Sequence, residues 1–341
     1  MLSLLLTALI WGFAFVAQVQ GMDSMSPMFF NAARFTLGAL SLVPILLWMR
    51  GRGSADKGDT AGADVVGTEA SVAVSTDAAS NGASDVVTIT GAKLNANKPD
   101  SAVARLLANP VVISVICGIV LFAADNCQQA GISSYPPEAA ASGRAGFLTA
   151  VYVVIVALLA RFMGRKLHPA VVAAVFVCLA GMYLLCVPLD QGFSGVYLGD
   201  VIMLAGALFY SLHILAVGRF ALEDALWLSA IQFCTSAALS SACALAVEGA
   251  TPLDALPALL PILYVGIFST GLGYTLQNIG QRTVDEAPAA ILMSLESVFA
   301  ALGGWALLGE SMSGAELAGC ALVFAAVLLA QLPQFKRARS S

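Results

Sequence analysis

The 341-residue chain is 59% apolar and only 11% charged, with a mean hydropathy of +0.87 and a formal net charge of −5. A water-soluble domain of this length could not hide so much apolar surface, and the chain has no basic patch of the kind nucleic acid requires. The composition therefore points to an integral membrane protein and excludes a nucleic-acid partner. The seven cysteines lie scattered through apolar runs without metal-ligand spacing and read as buried free thiols.

Taken in order, apolar runs long enough to cross a bilayer fall at about 2–20, 26–48, 106–124, 139–162, 168–187, 197–217, 225–247, 257–278, 287–308 and 314–332, which predicts ten transmembrane helices. Met1 opens directly into the first of these with no basic leader, so that helix reads as an uncleaved span. Residues 1–50 hold helices one and two. The Ala/Gly/Ser/Thr/Asp-rich segment 51–105 has no apolar period able to build a core and is expected to be a disordered insert. Helices three to five occupy 106–187, a second set of five occupies 197–332, and 333–341 is a basic tail. The other connections are short and rich in Pro, Gly, Ser and Asp.

Basic residues orient the chain. With the N-terminus inside, Arg50, Arg52, Lys57, Arg105, Arg161, Arg165, Lys166, Arg219, Arg282 and the tail all face the cytoplasm, and the opposite loops hold no Lys or Arg. Both termini are thus expected to be cytoplasmic, with the insert on the same side. Two sets of five helices must insert with opposite topology, and matching residues agree with this. Arg34-Phe35 corresponds to Gln232-Phe233, Gln128-Gln129-Ala130-Gly131 to Gln277-Asn278-Ile279-Gly280, and Gly164-Arg165-Lys166 to Gly309-Glu310-Ser311. The expected fold is all-α, an inverted repeat of the kind that builds carriers.

The candidate site residues are polar groups inside apolar helices. Glu296 lies about 15 Å along helix nine, near the midplane, where an ionisable group is a candidate for binding substrate or a proton. Ala290, Ser294, Ser297, Ala301 and Gly304 form a small-residue stripe on the same helix that suits close packing. Arg34, within helix two, needs a partner, which could be Glu296, Asp125 or a substrate carboxylate. Arg144, nearer the outer end of helix four, is placed to reach headgroups or a vestibule. Trp11 and Gln277 are expected to line a cavity, together with Tyr210 and His213 of helix six; His213 is either a proton relay or bonded to a neighbouring carbonyl.

Enzymatic chemistry finds little support. Ser194 of Gly192-Phe193-Ser194-Gly195 sits in the outer loop before helix six and His213 nearer the inner end of that helix, too far apart for a Ser–His pair, and no HExxH motif or Cys/His cluster occurs. No catalytic site, metal or cofactor is expected, and without a nucleotide-binding motif the energy for transport would come from gradients.

Ser142–Leu159 (SGRAGFLTAVYVVIVALL), Gly280–Glu310 (GQRTVDEAPAAILMSLESVFAALGGWALLGE) and Trp11-Gly12 together resemble the EamA-type branch of the drug/metabolite transporter superfamily. The resemblance implies two inverted five-helix repeats around a central cavity, with helices five and ten at the periphery. It implies a transporter, often an exporter of amino acids or other small metabolites, in a bacterial plasma membrane, and so a small-molecule substrate and the lipid bilayer as partners. A homodimer, a passive channel and a non-transporting scaffold stay open. Ser297 stands where the family commonly has proline, and the insert 51–105 is longer than the family's usual loop.

Overall fold

The computed structural model describes residues 2–58, 109–162, 168–187, 192–219, 225–249, 251–274, 276 and 292–338. These form α1 (Leu2–Met22), α2 (Pro27–Gly58), α3 (Pro110–Ser133), α4 (Ala141–Ala150), α5 (Tyr152–Phe162), α6 (Pro169–Cys186), α7 (Leu198–Arg219), α8 (Ala225–Cys243), α9 (Leu259–Leu263), α10 (Glu296–Gly303) and α11 (Gly314–Ala338). No strand occurs among the described residues. The expected insert lies outside them apart from the end of α2, which runs on to Gly58.

Helix starts follow local chemistry. Pro27, Pro110 and Pro169 open α2, α3 and α6, where a missing N–H costs nothing. The Asn109 side chain accepts from the Val111 amide at 2.9 Å, and His168 Nδ1 accepts from the Ala170 amide at 3.1 Å. At α11, Ser313 Oγ accepts from the Glu316 amide at 3.2 Å while Glu316 accepts from the Ser313 amide at 2.7 Å, a reciprocal capping box.

Six stretches are long and apolar enough to cross a membrane: Leu2–Met22, Pro27–Leu47, Pro110–Ser133, Pro169–Cys186, Leu198–Ala216 and Leu226–Glu248. Four shorter apolar stretches, Ala141–Val156, Leu259–Gly273, Leu292–Leu308 and Gly314–Ala330, fall where the sequence predicts the remaining spans. The run at 139–162 is interrupted at Val151, between α4 and α5. The run at 287–308 is described only from Leu292 and turns at Leu295, so that Glu296 opens α10 instead of sitting in the middle of an unbroken helix. Wider π-helical turns at Ala244–Glu248, Tyr264–Gly273 and Gly304–Leu308 extend α8, α9 and α10. The first and last of these end on Gly249 (φ 61°) and Gly309 (φ 69°), in the left-handed conformation that glycine adopts without strain.

Large apolar side chains such as Leu260, Phe176 and Trp305 face outward, as expected of surfaces solvated by lipid. Inside, small residues let the helices approach. Gly118 of α3 lies against Gln232 and Thr235 of α8, while Gly266 lies against Arg34 and Leu37 of α2. Gly181 of α6 and Gly319 of α11 meet each other: a Cβ on Gly181 would fall 2.9 Å from the Gly319 carbonyl, and one on Gly319 would fall 2.7 Å from the Gly181 carbonyl. Backbone cannot yield as a flexible side chain can, so Gly181→Val should push α6 and α11 apart. The expected result is a clear drop in detergent-resistant folded protein, read by size-exclusion chromatography after heating. An unchanged profile would show that the two helices can part without cost.

Candidate functional site

A buried ion pair joins α2 to α3. Arg34 Nη1 lies 3.1 Å from Asp125 Oδ1, with side-chain exposures of 8% and 2%. The sequence offered Glu296 and Asp125 as protein partners for this arginine; the rotation of α3 brings Asp125 to it. The same guanidinium nitrogen donates to Gln18 Oε1 at 3.4 Å. The Tyr210 hydroxyl, from α7, donates to Asp125 Oδ1 at 2.9 Å and also lies 3.2 Å from Gln128 Oε1. Gln128 in turn donates to Thr149 at 3.0 Å, and Gln129 Nε2 donates to the Gln18 carbonyl at 3.2 Å. Asn31 Nδ2, one turn before Arg34, reaches the Asp125 carbonyl at 3.0 Å. The spacing Asn31/Arg34 on α2 and Asp125/Gln129 on α3 puts each pair on one helical face.

This network is not closed. Arg34 Nε, Asp125 Oδ2, Gln129 Oε1 and Asn31 Oδ1 are buried and make no hydrogen bond among the described residues. Buried polar atoms are normally satisfied, so four open valences around one ion pair mark a place suited to a polar guest. His213, one turn beyond Tyr210, contacts Gln232 Oε1, the carbonyl oxygen of that side-chain amide, through Nε2 at 2.6 Å. Asp125 lies within electrostatic range of this ring.

An aromatic row flanks the pair. Trp11 packs edge-on to Tyr274 (5.3 Å), Tyr274 to Phe233 (5.4 Å), and Phe233 lies 5.9 Å from Phe35. Trp11 Nε1 donates to the Ser269 carbonyl at 3.0 Å, in the π-helical stretch after α9, a geometry frequent at functional sites. Glu296 is 5% exposed and has no hydrogen-bond or ion-pair partner among the described residues; Tyr152 and Tyr274 are its ionisable neighbours. α10 is held close to α1 and α4, where Gly12 and Gly146 lie against Phe299 and Ala300.

Arg144 is elsewhere and does different work. It does not reach headgroups: it is 1% exposed and bound on several sides. Nη1 donates to the Leu185 carbonyl and to Glu316 (3.1 Å), Nη2 pairs with Asp200 (3.4 Å), and the guanidinium lies 4.8 Å from the Tyr197 ring centroid. Tyr135 donates to the other Asp200 oxygen at 2.8 Å. The cluster fastens α4, α6, α7 and α11 together. Asp200, Tyr135 and Glu316 escaped the sequence reading because each stands beside a turn, where polar residues are ordinary. Gln277 lies outside the described residues.

The EamA-like transporter family profile matches residues 1–72 and 197–332. The chain belongs to the EamA-like transporter family. It is also 26% identical over 337 residues to an uncharacterised transporter of Archaeoglobus fulgidus, covering 97% of this chain and 85% of that protein. A chain of known crystal structure superposes with a TM-score of 0.57 at 20% identity, covering 97% of this chain and 96% of the other, which shows a shared fold. This EamA-like protein is therefore a multi-pass membrane transporter, a non-enzymatic role that agrees with its apolar helices.

Proposed function

We propose that this EamA-like transporter is a secondary carrier that moves a small polar metabolite, such as an amino acid, through the Arg34–Asp125 centre by alternating access. The observation that carries this reading is the open valences around that buried pair, where donor and acceptor atoms stand ready for a polar guest. Trp11, Tyr274 and Tyr210 bound the site, Arg34 supplies charge to a substrate, and Glu296 is the group that exchanges a proton.

Ten spans in two inverted halves complete the proposal. The four shorter apolar stretches supply the spans beyond the six long ones. Paired contacts support the repeat. Gly118 against Gln232 and Thr235 has its counterpart in Gly266 against Arg34 and Leu37, and Arg34 and Leu37 stand to Gln232 and Thr235 at one constant sequence offset. Leu179-Ala180-Gly181 and Leu317-Ala318-Gly319 are likewise repeated, and their glycines meet. Such self-pairing contacts are what a pseudo-two-fold axis between inverted repeats produces. The asymmetry of the basic residues supports cytoplasmic termini, and export across a bacterial plasma membrane is the reading that the family resemblance favours.

The test is purified protein in liposomes loaded with a uniformly 13C-labelled bacterial metabolite extract. Mass spectrometry of the outer solution should find a small set of polar species released at least about tenfold faster than from protein-free liposomes. Release that is unselective by charge and size would point to a channel, and none at all would overturn the carrier reading.

A further inference from the structure

Two carboxylates from the second half of the chain are bound to helix N-termini of the first half, at the same end of the molecule. Glu248, on the last π-helical turn after α8, accepts from the Met28 amide (Oε1, 3.0 Å) and the Phe29 amide (Oε2, 3.0 Å), and from the Ser26 hydroxyl. Glu310, just past the π-helical turn after α10, accepts from the Ser142 amide through both oxygens, at 2.9 and 3.2 Å. The first contact ties the end of α8 to α2, and the second ties the end of α10 to α4. Both depend on the same local device, a π-helical turn ended by a left-handed glycine, Gly249 or Gly309. Around Gly309 the chain folds back so closely that Glu310 lies against Gly304, where a Cβ would collide with the carboxylate.

The amides concerned belong to the first turns of α2 and α4, which have no partner inside their own helices. Carboxylates satisfy them well, because charge-assisted bonds and the positive helix end act together. Each contact joins an element of the second half to one of the first, beside apolar packing: Met25 and Phe30 cluster with Ala258 and Ile262 near Glu248, and Gly143 lies against Ala301 and Met312 near Glu310.

We infer that Glu248 and Glu310 are a pair of latches that hold this end of the transporter shut, and that both release together when the outward-facing path opens. This rests on the alternating-access reading, and it adds the gate that such a reading requires. Opening costs the bonds at both helix ends. The freed amides and carboxylates then face water, which replaces the lost partners and keeps the open state within reach. The pairing makes the device cooperative: a rocking half cannot break one latch and keep the other.

Amide hydrogen exchange of the full chain in lipid nanodiscs tests the coupling without any substrate. In the closed state the Met28, Phe29 and Ser142 amides donate to the latch carboxylates. Glu310→Gln directly weakens only the contact at the start of α4, at Ser142 and the amides beside it. If both latches open as one, it should also speed exchange at Met28 and Phe29, by about fivefold or more, and Glu248→Gln should do the same at Ser142. Acceleration confined to the mutated side makes the two carboxylates independent local caps and overturns the proposal.

A second arrangement reads transport. Ser26→Cys with Glu248→Cys places two thiols where hydroxyl and carboxylate now touch. In liposomes holding the 13C-labelled extract, oxidation should reduce release at least about tenfold, and reductant should restore it. Equal release from the oxidised and reduced pair means that this end never opens during transport, and the latch idea fails while the carrier stands. No release even from the unsubstituted protein means that the carrier reading fails, and the exchange measurement then decides the latches alone.

Discussion

Asp125→Ala is expected to destabilise the protein by about 3–5 kcal/mol, the usual cost of stripping one partner from a buried ion pair. Arg34, 6% exposed in the intact protein, would keep Gln18 at 3.4 Å as its side-chain hydrogen-bond partner among the described residues, and Tyr210 would lose the acceptor at 2.9 Å. Asp125→Asn should be milder, since it keeps an oxygen for the tyrosine while losing the charge. The informative variant is the double one, Arg34→Met with Asp125→Leu. Apolar replacement of a whole buried pair is often neutral or stabilising, so this protein should regain near wild-type resistance to heating in detergent. It should nevertheless release none of the labelled metabolites, because the charged centre is gone. Thermal unfolding followed by size-exclusion chromatography gives the first result and liposome flux the second. A double variant that is stable and still transports would relegate the pair to scaffolding and send the search for the site elsewhere.

Glu296→Gln should leave the fold intact and abolish the response of transport to a pH gradient. The carboxylate is buried and finds no donor or cation among the described residues, and Tyr152 and Tyr274 are its ionisable neighbours. An ionised carboxylate so placed is costly, so a proton or a cationic substrate group must accompany it. Glutamine keeps the volume and most of the hydrogen-bonding capacity but carries no exchangeable charge. Wild-type liposomes under an imposed pH gradient should show flux that rises or falls with the gradient, whereas the glutamine variant should run at one rate or only exchange substrate for substrate. If the two respond alike, the proton is carried by another group, and Asp125 with its neighbour His213 becomes the first to examine.

The membrane class and the approximate positions of the six long spans were legible in the chain because they depend on sums over about 20 residues, and bilayer thickness fixes that length. The need of Arg34 for a partner was equally legible, since a guanidinium that deep in an apolar helix must be compensated. Family membership could be read from the runs at Trp11-Gly12 and around Glu296, both within the residues that the family profile matches. The choice of Asp125 over Glu296 was not available locally: it depends on how α2 and α3 are rotated about their axes, and that is set by contacts such as Gly118 against α8 and Gly266 against α2. Glu248 and Glu310 sat in turns and looked like ordinary loop acids. Only their approach to helix starts over two hundred and over one hundred and sixty positions away, respectively, gave them a task. Arg144 shows the same limit, since its distance from the helix end suggested a side chain reaching for headgroups, while the fold surrounds it with Asp200 and Glu316. Sequence by itself determined which groups are too polar for lipid. Tertiary structure decided which of them meet, because hydrogen bonds and ion pairs act over about 3 Å and a helix rotated by one residue presents a different face.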